Sequence, residues 1–97
     1  MTGNDVAAFL ERTGLTRREL GDVISVDPVT IWRWVCYKDR EIHLRHHAEL
    51  IFHHLLVKEE KVSAETFKRW IGDLRCTRIA QGPLAALSHL LHGVWKP

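Results

Sequence analysis

The sequence predicts an all-α fold, a small bundle of five to six helices. Three observations predict it. Only three prolines interrupt the 97 residues. No stretch of convincing strand length alternates apolar and polar side chains, and apolar residues recur three and four apart along nearly the whole chain. Start and stop signals then divide the chain into elements.

The first helix is expected over residues 5–12. Thr2 and Asp5 make its cap, Val6, Phe9 and Leu10 form the apolar stripe, and Gly14 ends it. Thr16 and Glu19 stand at capping-box spacing with Leu15 and Leu20 at the staple positions, so a second helix is expected over residues 17–24. Asp27 as cap and Pro28 at the first helical position open a third, over residues 28–36. Only Ser25 and Val26 lie between the second helix and that cap, so the two helices meet at a tight turn.

The polar run YKDREIH, residues 37–43, is expected to be a connection. Leu44, Ala48, Ile51 and Leu55 then define a fourth helix of about 14 residues. KEEKVS is the next expected break, with Ser63 as cap of a fifth helix striped by Phe67, Trp70, Ile71 and Leu74. Gly82-Pro83 is a stop followed by a restart, and LAALSHLLHGVW forms the last helix. Residues 1–60 read as one functional unit and residues 61–97 as a helical extension. The last helix follows a complete five-helix unit, so Leu84, Leu87, Leu91 and Trp95 are expected to be left over for a dimer interface.

Composition restricts the function without naming it. Hydrophobic residues make up 45% and charged residues 27%, an ordinary globular balance, and the net charge of +2 is too small to indicate nucleic acid by itself. The N-terminal residues lack a basic start followed by an apolar run, and no segment nears the roughly 20 apolar residues of a membrane span. A cytoplasmic protein with no membrane partner is expected. Cys36 and Cys76 stand alone, as reduced thiols do in that compartment. Of the seven histidines, His46/His53 and His47/His54 are two turns apart, and His89/His92 has no carboxylate or cysteine beside it. No metal site follows from that spacing. Few serines, no nucleophile–base set and no phosphate-binding glycine loop argue against an enzyme, a cofactor or a small-molecule ligand.

The chemistry concentrates between Leu15 and Trp34. Leu20, Ile24, Val26, Ile31 and Trp34 are expected to face the core, with Gly21 where the two helices approach. The opposite side of the third helix then carries Pro28, Val29, Trp32, Arg33 and Cys36. A capped helix exposing Val, Trp and Arg suits the major groove of DNA. Arg17, Arg18 and Thr30 lie near helix N-termini, where backbone N–H groups favour phosphate, and Trp32 is expected beside the DNA backbone. On the fifth helix Lys68, Arg69, Arg75 and Arg78 face only Asp73; a solvated face accounts for them, with auxiliary phosphate contact as the alternative.

LTRRELGDVISVDPVTIWRW resembles the helix-turn-helix of the Cro/repressor-like (XRE-type) DNA-binding domains. The resemblance spans residues 6–56 and rests on Leu20, the small Gly21, Val26, Thr30-Ile31 and Arg33-Trp34. It implies that Arg17, opening the second helix, anchors a phosphate and that Pro28, Val29 and Arg33 read bases. Ser25 departs from the glycine or asparagine usual at the turn, and Val35 and Tyr37 replace the acidic residue and glycine that often follow the tryptophan. The function expected is a sequence-specific repressor that binds double-stranded DNA at a palindromic operator as a homodimer. An architectural or recombination-directing DNA binder is the alternative; so is a protein-interaction module such as an antitoxin or host-factor inhibitor.

Overall fold

Local caps set where each helix begins. The computed structural model describes residues 1–91, and its regular structure there is entirely helical: α1 (Gly3–Thr13), α2 (Arg17–Ile24), α3 (Pro28–Cys36), α4 (His46–Lys61), α5 (Ala64–Gln81) and α6 (Pro83–Leu91). The fold is the predicted all-α bundle.

Each predicted cap has a physical counterpart. The Thr2 N–H donates to Asp5 Oδ2 at 2.9 Å, which starts α1 at Gly3 rather than at residue 5. Gly14 ends it in the left-handed conformation, φ 71°, open to glycine without a Cβ penalty. Ser63 Oγ accepts from the Thr66 N–H at 3.3 Å and opens α5. Pro83 opens α6.

The fourth helix differs from expectation at both ends. Leu44 precedes it, because Arg45 still has extended backbone, φ −64° and ψ 152°. At the far end KEEK continues the helix, and the break is only Val62 and Ser63. The polar last turn is held from outside: Arg12 on α1 grips Glu59 with Nε at 2.6 Å and a second guanidinium nitrogen at 3.1 Å. A two-point grip of this kind fixes geometry as well as charge.

The helices close on one core. Val6 and Phe9 from α1 meet Leu20, Val23 and Ile24 from α2, Ile31 from α3, Ile51, Phe52 and Leu55 from α4, and Phe67, Trp70, Ile71 and Leu74 from α5, all buried. Aromatic rings tie its centre: Phe9 lies 5.1 Å from Phe52 and 6.3 Å edge-on from Phe67, and Phe67 lies 5.8 Å from Trp70. Such pairs add about 0.5–1.5 kcal/mol beyond the area they bury. The core runs without interruption across residue 60, so residues 1–60 and the helices that follow them share it.

Two corrections follow from burial. The last helix is not simply appended to a finished unit: Ala86 is fully buried and Leu90 is 8% exposed, so the inner row of α6 completes the core. Trp34 was expected inside, yet it is half-buried and packs against the rim, as does Val26. The start of α1 packs on the backbone at the end of α3. A Cβ on Gly3 would lie 1.9 Å from the Trp34 carbonyl oxygen, and the Asn4 N–H donates to the Lys38 carbonyl at 3.0 Å. The Trp34 side chain lines a surface cleft with Val26, Thr30 and Leu44, while Ile31 takes the buried place on α3.

Candidate nucleic-acid interface

Short-range hydrogen bonds set the tight turn between α2 and α3 and the helix starts on either side of it. Thr16 Oγ1 accepts from the Glu19 N–H at 3.0 Å while Glu19 Oε1 accepts from the Thr16 N–H at 3.1 Å, the reciprocal box that starts α2. Asp27 Oδ1 accepts from the Val29 N–H at 2.8 Å and starts α3. Between them the Val26 N–H donates to the Gly21 carbonyl at 3.0 Å. A Cβ on Gly21 would lie 2.4 Å from the Val26 carbonyl oxygen, so the turn can close only over a glycine.

Ser25 takes the left-handed conformation that the turn requires, φ 63° and ψ 39°. A non-glycine residue there costs about 1 kcal/mol. An offset comes from α5: Arg78 Nε donates to Ser25 Oγ. One turn earlier on α5, Arg75 Nε meets Asp22 Oδ2 at 2.5 Å, and this hydrogen bond raises the guanidinium pKa above its ordinary value. Two of the cations expected on a solvated face are therefore structural ties to α2. Lys68 and Arg69 remain exposed.

On α3, residues four apart lie above one another and form rows. The middle row is Val29 and Arg33, both exposed, with Val29 at 57%. The row Pro28–Trp32 forms one edge, and Trp32 is 48% exposed. The row Thr30–Trp34 forms the other edge and is half-buried. Ile31, fully buried on the opposite side, fixes this orientation.

A cleft brings Thr16, Arg17 and Arg18 of the α2 start together with Pro28, Val29 and Trp32. Sequence reasoning thus named residues that share one surface. Thr30 is not among them; it lines a separate cleft with Trp34, His43, Arg45 and His47. The sequence reading singles out neither His43 nor Arg45, because YKDREIH is read as a connection, and it weighs His47 only as a metal ligand paired with His54. The signal was present, since the run HLRHH places four cationic or titratable residues just after α3.

On α6, Leu84 and Leu91 are each 77% exposed and Leu87 is half-buried against the core. Trp95, expected beside them, lies outside the described residues. A mainly apolar hollow between α4 and α6 is lined by Leu50, Val57, Leu87 and Leu91 together with His53 and His54. The His54 ring lies 5.8 Å from Trp70, and desolvation there, with Lys58 adding to it, lowers its pKa below the ordinary value. Cys36 and Cys76 are free and exposed. Among the described residues no three of His, Cys, Asp and Glu converge as metal ligands, and no helix is long and apolar enough to cross a membrane.

No family model, no curated protein and no solved structure matches this chain.

Proposed function

We propose that this protein is a sequence-specific regulator of the Cro/repressor-like helix-turn-helix type, that it binds duplex DNA as a homodimer, and that it represses by occluding a promoter. The observation that carries this reading is the exposed middle row of α3, Val29 and Arg33, set beside a cleft that holds Arg17 and Arg18. A helix inserted by its N-terminal end in the major groove presents its first exposed side chains to base edges. There the Arg33 guanidinium bonds the O6 and N7 acceptors of a guanine, while Pro28 and Val29 make apolar contact with a thymine methyl. Arg17 and Arg18 neutralise phosphates at the groove edge, and Trp32 lies along the sugar-phosphate backbone.

One α3 spans only a few base pairs, so tight binding calls for two. Subunits paired through Leu84, Leu87 and Leu91, with Trp95 beyond them, would read two half-sites of a palindrome about one helical turn apart. Selection of bound sequences from a random duplex pool tests the reading. The expected product is an inverted repeat with a guanine at a fixed place in each half. Absence of binding to any duplex at low salt would remove DNA from the account and leave the α3 face to a protein partner.

A further inference from the structure

The cations on one flank of α5 follow α2 along its length. Arg75 and Arg78 each reach the α2-side residue 53 positions earlier, Asp22 and Ser25. Contacts that keep one offset over successive residues belong to two helices running side by side in the same direction. Seven residues before Arg75, about 10.5 Å back along the helix, the same flank of α5 carries Lys68. Its side chain lies over Gly14, where an added Cβ would come 3.3 Å from Nζ and 3.6 Å from Cε. Gly14 is three residues before Arg17, which opens α2. Lys68 therefore stands where the chain enters that helix.

What changes along the flank is the partner. Arg75 meets a carboxylate and Arg78 a hydroxyl, whereas Gly14 has no side chain to offer. The Lys68 ammonium is exposed and makes no ion pair among the described residues, and the same holds for Arg17 and Arg18. The acidic side chains of α2 are engaged: Glu19 Oε1 accepts from the Thr16 N–H and Asp22 Oδ2 from Arg75. Cations from two helices thus collect around residues 14–18 without a counter-charge bonded to them from their own chain. A polyanion supplies that counter-charge, and a duplex backbone supplies it as a row. We propose that Lys68 binds a DNA phosphate beside those held by Arg17 and Arg18, so that the phosphate-binding edge continues from α2 onto α5. This contact rests on the DNA-binding reading of α3 and adds to it a residue from outside the helix-turn-helix. It also gives α5 two tasks on one flank, with Arg75 and Arg78 holding α2 and its turn and Lys68 holding the duplex.

Arg69 provides the control. It is exposed about 100° further round α5, away from the flank of Lys68 and Arg75. The test is binding of a labelled mixed-sequence duplex of about 20 base pairs, two helical turns long, by the full chain over a series of salt concentrations. Lys68→Ala and Lys68→Gln are each expected to lower the slope of log affinity against log salt by about one unit, as Arg17→Ala does, since each phosphate contact releases roughly one counterion. Arg69→Ala removes the same charge from the same helix and is expected to leave the slope at the wild-type value. Unchanged thermal unfolding of each variant separates these effects from misfolding. An unchanged slope in both Lys68 variants while Arg17→Ala lowers it overturns the Lys68 contact and leaves the DNA reading standing. An equal fall in Arg69→Ala overturns it as well, because net charge alone then accounts for the loss. If the wild-type chain binds no duplex at low salt, the contact and the DNA reading fall together.

Discussion

Arg33 and the two tryptophans of α3 divide the labour of one short helix. Arg33 is exposed and makes no ion pair in the described structure, so its removal leaves the fold intact. Arg33→Ala is expected to weaken specific DNA binding by about 1–3 kcal/mol and to relax preference at one base pair in each half-site. Its melting temperature stays at the wild-type value; unfolding of the variant would make Arg33 structural. Trp34, half-buried against the core, is expected to cost about 2 kcal/mol on replacement by alanine, below the roughly 3–5 of a fully buried tryptophan. Trp32→Ala, 48% exposed, changes stability by no more than about 0.5 kcal/mol. Denaturant midpoints of the two variants check the ordering, and equal values would contradict it.

Among the elements, what was legible in the sequence was whatever is decided within three or four residues. The box of Thr16 and Glu19, the Asp27–Pro28 start, the Ser63 cap and the Gly14 stop all act over that range, and each was placed where it occurs. The stripe Phe67, Trp70, Ile71 and Leu74 was legible for the same reason, because helical spacing alone sets it. The candidate site was legible in its Arg17, Arg18, Pro28, Val29 and Trp32 part, all near the two caps. Contacts between distant elements were not legible. Arg75 meets Asp22 and Arg78 meets Ser25 across 53 positions, and Arg12 meets Glu59 across 47. No local pattern distinguishes an arginine in such a tie from one in water. The ties have a measurable consequence. Arg78→Ala is expected to keep all six described helices yet speed hydrogen exchange at the Val26 N–H, whose partner is the Gly21 carbonyl across the turn. Unaltered exchange there would mean that the turn holds itself.

For the whole molecule, the two rows of α6 play opposite parts. Ala86 and Leu90 close the core against α4 and α5, whereas Leu84 and Leu91 face outward. Removal of α6 is therefore expected to destabilise the entire chain rather than release a sound monomer. A gentler change separates the roles. Leu84→Glu with Leu91→Glu is expected to preserve the melting temperature while converting a dimer into a monomer in sedimentation at micromolar concentration. Tight operator binding should fall with it, and weak binding to a half-site should persist. A wild-type chain that sediments as a monomer would remove the dimer, and a doubly substituted chain that unfolds would place those leucines in the core.

The ties from α5 to α2 also set an order in time. Their partners are 53 residues apart, so the loop they close is long and forms late compared with contacts inside a helix or across one turn. While the chain is being synthesised, α2 and α3 emerge well before Arg75 and Arg78 exist to hold them. A nascent chain carrying the residues proposed to read the groove would thus lack the two ties that hold the turn. Occupancy of DNA is expected to begin only with the completed fold, and in stopped-flow refolding the recovery of DNA binding should trail the recovery of helical signal. Simultaneous recovery of the two would show that the turn reaches its final shape without help from α5.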